Sequence, residues 1–148
     1  MSDAILDGIY LFGGKNSAGE LQNKLKFIKP QMSEGKVVGV EWQKLKQQGV
    51  PPCGRVGHSL SYLPINQSLV IIGGRNDQMC ANPHIPMLDD MYLFLLDQKA
   101  WLRVKYIPQS QRLCRIGNHS TSVVTDGESY EKIMIFGGIT NHKNEQVS

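Results

Sequence analysis

Three apolar runs in this chain end on a pair of adjacent glycines and then turn abruptly polar: IYLFGGKN at Gly13 and Gly14, SLVIIGGRND at Gly73 and Gly74, and IMIFGGIT at Gly137 and Gly138. The pairs begin 60 and 64 residues apart, a period too long for a helix pair and within reach of a four-stranded unit carrying a long loop. Other landmarks keep step with them. Trp42 follows Gly13 by 29 residues and Trp101 follows Gly73 by 28, GHS at Gly57 to Ser59 is echoed by NHS at Asn118 to Ser120, and Cys53 and Cys114 each precede their histidine by five. Agreement among several residue types at nearly constant offsets indicates an internal repeat.

Within each period the segments read as short strands, since they are rich in β-branched, aromatic and other apolar residues and turn residues bound them. In the complete copy these are HSLSYLPI from His58, SLVIIGG, MYLFLLD and AWLRVKYI. The second is continuously apolar, so both of its faces are expected to be buried. In the fourth, Trp101, Arg103 and Lys105 fall on one face, which suits an outer strand with its indole packed inward and its charged heads in water. An inner strand must stop at the rim of its sheet, and residues without a Cβ there permit φ > 0 and close approach of neighbouring loops. The glycines are therefore read as backbone devices. A phosphate cradle would need further glycines or a lysine at fixed spacing and a following helix, which this sequence does not have.

Gly73-Gly74, DDMYLFLLD with Tyr92, Trp101 and His119-Ser120 together resemble the kelch repeat, and Gly13-Gly14, Trp42 and RVGHS (Arg55 to Ser59, with His58) form a second copy. The resemblance covers residues 9–138. The first copy departs from it, with Leu25 in the place of Tyr92 and KFIKPQ in place of the acidic strand end, and Arg115 stands one position further from its histidine than Arg55 does. The resemblance implies an all-β fold, a β-propeller segment of four-stranded antiparallel blades. Blade strands 2 to 4 are expected over 9–45, a complete blade over 55–107 and strands 1 and 2 of a third over 117–138, all within one partial propeller of 1–148. Closed propellers take roughly four to eight blades of four strands, so nine strands do not close alone. The favoured expectation is a segment of a longer protein, or a piece completed by a different polypeptide, over several copies completing one ring.

Kelch propellers usually serve as partner-binding platforms through the loops from the second to the third strand and from the fourth strand to the next blade. Arg55, Arg75, Arg112 and Arg115 fall in or beside these loops, with Asn76 and His84, leaving Arg103 as the only arginine elsewhere. The planar five-donor fork of arginine suits a protein or peptide partner with acidic side chains, a free carboxylate or a phosphate. The alternative for Arg55 and Arg115 is a structural tie to backbone carbonyls or acids between blades. MCANPHIPM, with Met79, Ile85 and Met87, offers an apolar anchor or else folds back over the blade.

His58, His84, His119, Cys53, Cys80 and Cys114 lack the close pairs of a zinc site, so no metal or cofactor is expected. Neither is catalysis: Asp89 and Asp90 are adjacent on an extended chain, and Ser59 and Ser120 sit directly beside histidines, so in each case the side chains diverge. A net charge of +3 with scattered lysines does not require a nucleic-acid partner. Acids at Asp3 and Asp7 argue against a signal peptide, no run approaches the roughly 18 apolar residues of a membrane helix, and three cysteines argue against a disulfide framework, so an intracellular, cytoplasmic location is expected. The function expected is a protein-interaction module without chemistry of its own. The rival is a structural subunit whose edges other chains cover in a larger assembly, cytoskeletal or ciliary.

Overall fold

The computed structural model of the chain describes residues 8–78, 86–107 and 113–140, and every regular element among them is a β-strand. In chain order these are β1 (Ile9–Phe12), β2 (Leu25–Ser33), β3 (Lys36–Gln43), β4 (Ser59–Leu63), β5 (Ser68–Ile72), β6 (Met91–Leu95), β7 (Ala100–Arg103), β8 (Ile116–Gly117), β9 (Ser120–Thr125), β10 (Glu131–Phe136) and β11 (Ile139–Thr140). They form antiparallel sheets of order β1-β2-β3, β4-β5-β6-β7 and β9-β10, with a short β8-β11 ladder at the rim. The first three sheets are the successive blades, and the middle one has all four strands. No helix among the described residues is long and apolar enough to cross a membrane.

Strand β5, SLVII, is buried at all five positions, as its unbroken apolar run requires. Its two faces serve different neighbours because side chains alternate along a strand. Leu69 and Ile71 meet Phe12 and Leu25 of the first sheet in a cluster with Phe94, Leu96 and Trp101, while Val70 and Ile72 join Leu63 against Val123, Ile133 and Ile135 of the third. The middle sheet thus has one face toward the preceding blade and one toward the following blade. Trp101 lies in the first of these seams, 7% exposed, with its ring 5.5 Å from that of Phe12 and 5.0 Å from Phe94, and its indole N–H donates to Gln47 Oε1 at 2.9 Å. Trp42, its counterpart one repeat earlier, is 59% exposed.

The ladder registers correct one expected alignment. Trp101 opposes Phe94 and Trp42 opposes Ile28, so Lys26, not Leu25, occupies the position of Tyr92, and Leu25 matches Met91. Phe12 opposing Leu25, as Ile72 opposes Met91, gives the same alignment. The physical consequence is visible in the packing: Leu25 is buried between blades, and the ammonium of Lys26 lies 5.4 Å from the Trp42 ring centroid.

Both members of all three glycine pairs take positive φ, from 59° at Gly73 to 102° at Gly74. Space matters as much as conformation there. A Cβ on Gly13 would stand 2.6 Å from the His58 ring, and one on Gly74 would stand 2.8 Å from His58 Cβ. His58 is therefore wedged between the glycine pair of its own blade and that of the blade before. Its Nε2 donates to the Phe12 carbonyl at 3.0 Å, at the last residue before Gly13, and His119 makes the equivalent backbone bond to Ile72, before Gly73. Inner strands are tied in the same direction, with Ser59 Oγ 3.0 Å from His119 Nε2 and Ser61 Oγ 2.7 Å from Thr121 Oγ1. Asn118 takes φ 56° where the earlier copy has Gly57 at φ 65°, and asparagine is among the few residues that tolerate that region.

Candidate partner-binding face

The loops that follow the glycine pairs and those that link successive blades meet at one rim and are knitted into a small network. Gly14 N donates to Arg55 O at 2.9 Å and Gly74 N to Ile116 O at 2.8 Å, so Ile116 holds in the third blade the place that Arg55 holds in the second. Val56 and Arg75 exchange both backbone bonds, at 3.1 and 2.8 Å, and Arg75 also bridges to Met87. Backbone bonding on both sides fixes where Arg75 leaves the rim.

The arginines part company on this frame. Arg55 is fully buried. Its guanidinium grips Asp90 in bidentate fashion, Nη1 to Oδ1 at 2.5 Å and Nη2 to Oδ2 at 2.9 Å, and also donates to the carbonyls of Gly73 at 2.8 Å and Cys53 at 3.1 Å and to Cys53 Sγ at 3.3 Å. Burial opposes the charge, but the hydrogen bonds and charge of Asp90, with Cys53, outweigh it and raise the Arg55 pKa. Arg55 is thus withdrawn from the partner-binding set in which the sequence placed it, because its donors are already spent. Asn76 is withdrawn with it: 3% exposed, it donates to Gly54 O at 2.5 Å and accepts from Gln78 N at 2.9 Å.

Arg75 and Arg115 remain at the surface. Arg75 Nε lies 2.6 Å from Asp77 Oδ1 in an ion pair half open to solvent, and Arg115, displaced one position from the buried slot that Ile116 fills, donates one bond to Met87 O at 3.1 Å. Met87 itself is buried, so of the three apolar side chains considered as an anchor it folds back over the blade. Met79, Cys80, His84, Ile85 and Arg112 lie outside the described residues.

Sequence reasoning missed Lys15, which stands where Arg75 does in the following copy, directly after the glycine pair, and is exposed beside the turn in which Asn16 and Glu20 bond each other. The offset from the glycines was the signal. It also missed Asp90 as the ligand of Arg55, a pairing that spans 35 residues and leaves no local trace.

His58 and His119 each bond across to a neighbouring blade. Burial, then the charge of Arg55, lowers the His58 pKa against the bond to Phe12 O, and burial lowers that of His119. The Nδ1 atoms of both rings are buried with no hydrogen-bond partner among the described residues. The Ser59–His119 contact has the reach of a nucleophile and base, yet no carboxylate orients His119 Nδ1 among the described residues, and the pair joins two blades instead. No cluster of three His, Cys, Asp or Glu side chains occurs among those residues either. A groove of about 590 Å³ is lined by Lys24, Lys26, Trp42, Lys44, Leu45 and Gln47 among others, on the first sheet.

No curated protein matches the chain. The family model described as the KLHDC2/KLHL20/DRC7 Kelch-repeats domain matches residues 3–147. With that match over nearly its whole length, and with glycine pairs, tryptophans and histidines in the roles just described, the chain belongs to the kelch-repeat family.

Proposed function

We propose that the chain acts as a protein-interaction module that presents Lys15, Arg75 and Arg115 from its loop rim to an acidic segment of a partner protein. Kelch-repeat domains are generally interaction modules, and this supports the class of function. The observation that carries the acidic specificity is Arg75, whose backbone is bonded from both sides while its guanidinium stays exposed and, among the described residues, pairs only with Asp77. Asp77 is exchangeable at such a surface, since a solvent-exposed ion pair contributes little. An incoming carboxylate meets a donor fork whose anchor is already ordered, which lowers the entropic cost of binding. Arg112 and His84, which lie outside the described residues, are included in the proposed face from their sequence positions alone.

The test is selection of peptides from an unbiased library on the 148-residue chain. Recovered sequences enriched in Asp and Glu, or ending in a required free carboxylate, and losing affinity roughly tenfold on Arg75→Ala support the reading, tenfold being about 1.4 kcal/mol. Peptides without acidic enrichment, or binding indifferent to Arg75→Ala and Arg115→Ala, overturn it.

A second role, as part of a larger ring or assembly, rests on the two outer sheet faces. Trp42 and Val40 on one side and Met134 and Phe136 on the other are each more than half exposed. Further blades, from the same polypeptide or from other subunits, would cover them.

A further inference from the structure

The groove on the first sheet has a counterpart in the second. Ladder register matches Trp42 with Trp101 and Leu25 with Met91, so Lys24, Lys26 and Lys44 stand where Asp90, Tyr92 and Arg103 stand. A recess of about 320 Å³ opens at that place in the second sheet, between the start of β6 and the end of β7, lined by Asp89, Asp90, Arg103, Lys105 and Tyr106 among others. It is open even though the first sheet is packed against Trp101. The recess is therefore a property of the blade and not of an uncovered face. Its charges differ between copies. In the second sheet Asp89 and Asp90 offset Arg103 and Lys105, Asp90 is gripped by Arg55, and the Arg103 guanidinium lies 6.0 Å from the Tyr92 ring centroid. In the first sheet the four matching positions are Asn23, Lys24, Lys44 and Lys46, and Lys26 replaces Tyr92. Four cations thus stand where the charges of the second sheet cancel.

No acid lines the larger groove of about 590 Å³, and among the described residues Lys24, Lys26 and Lys44 take part in no ion pair. The rest of its lining is largely apolar, from Leu25, Leu45 and Trp42. Gln47 holds one wall in place, donating from Nε2 to Leu25 O at 3.0 Å and accepting the Trp101 indole N–H at 2.9 Å. Uncompensated ammonium groups beside an apolar recess favour a multiply charged anion on an apolar body. Lysine meets phosphate as a compact point charge, and a phosphate monoester carries about −1.5 to −2 at pH 7 where a carboxylate carries one charge. We propose that the groove receives a phosphotyrosine of a partner protein, its phosphate among Lys24, Lys26 and Lys44 and its ring against Leu25 and Leu45. A phenyl ring asks for no hydrogen bonds. A nucleotide base and sugar would ask for several, and of the two amide side chains in the lining, Gln43 and Gln47, the second is already bonded at both ends.

Fluorescence anisotropy of a labelled Gly-Gly-phosphotyrosine-Gly-Gly peptide on the 148-residue chain tests this. The phosphopeptide is expected to bind at least tenfold more tightly than its unphosphorylated twin, and less tightly in 1 M salt, where screening shortens to about 3 Å. The double variant Lys24→Ala with Lys44→Ala is expected to weaken binding by roughly fivefold, since each exposed ion pair contributes little alone. Lys29→Ala with Lys36→Ala removes the same charge from farther along the same two strands and is expected to change nothing, and denaturation curves check that all variants fold. Arg75→Ala is also expected to leave phosphopeptide binding intact, so this site and the loop-rim reading fail separately. Equal binding of the unphosphorylated peptide overturns the proposal, as does an equal loss in the Lys29 and Lys36 variant, which would mark a general effect of net charge. A phosphoserine peptide that binds as tightly, or displacement by AMP at about 100 µM, overturns it too, the first by removing the role of the ring and the second by making the groove a nucleotide site.

Discussion

Removing the Arg55 side chain strikes the most heavily bonded group at the rim. Arg55→Ala deletes five donor contacts and leaves the Asp90 carboxylate, whose side chain is only 13% exposed, without its cation. It also strands the Gly73 carbonyl at the start of the turn out of β5. Breaking a buried ion pair from one side costs about 3–5 kcal/mol, because the surviving charge stays in a largely buried site without its partner. Total stabilities run about 5–15 kcal/mol, so roughly a fifth or more of the margin goes with one side chain. With a urea dependence of about 2 kcal/mol per molar, the unfolding midpoint is expected to fall by roughly 1.5–2.5 M. Replacing both partners, Arg55→Met with Asp90→Leu, tests the cause: buried pairs exchanged for apolar residues of similar volume are often neutral, so the double variant is expected to lie within about 1 kcal/mol of the parent. Equilibrium urea unfolding followed by fluorescence and circular dichroism reads both. A shift below about 1 kcal/mol for Arg55→Ala would refute the reasoning, as would a double variant no better than the single one.

Acid should weaken the seams between blades. The folded-state pKa values of His58 and His119 are depressed, so their contribution is complete above the unfolded value of about 6.5 and is lost as pH falls through the lower folded values. Urea midpoints at pH 7.5 and 5.5 are expected to differ, and replacing both histidines by asparagine should remove most of that difference; an unchanged slope would assign the pH effect elsewhere. Gly13→Ala and Gly127→Ala both force a side chain into positive φ, at 75° and 85°, but only Gly13 has His58 and Arg55 O within 3 Å of the new Cβ. The expected losses are about 1–2 kcal/mol at Gly127 and more at Gly13, and equal thermal shifts would contradict the wedge. Arg75→Glu reverses an exposed charge in a half-open ion pair, so stability should stay within about 0.5 kcal/mol while binding to acidic peptides is lost. A large drop in melting temperature would instead make Arg75 part of the frame.

Much of the fold could be read from local sequence because its determinants are local. The glycine pairs announce strand ends through a conformation other residues avoid, and SLVII announces two buried faces by having no polar side to show. The site was less legible. Arg55 and Arg75 sit in loops of similar composition, and what separates them is Asp90, which β6 brings under one and not the other. Asn76 follows an exposed arginine yet turns inward to cap the Gly54 carbonyl, a difference set by a loop that arrives from 22 residues away. The place of Tyr92 in the first copy was misjudged by one residue, since β2 and β3 run longer than β6 and β7 and carry a bulge at Gln31 and Met32, and offsets counted along the chain drift where ladders do not.

The histidine wedge also imposes an order of events on synthesis. The Phe12 carbonyl waits for a ring that lies 46 residues downstream. At elongation rates of about 5–20 residues per second, His58 is made roughly 2–9 s after the strand it must seal. During that interval the first sheet has its glycine turn but no stitch across it, and the second sheet faces the same wait for His119. Each blade is therefore finished by its successor, and the nascent chain matures from its N-terminus with one rim always open.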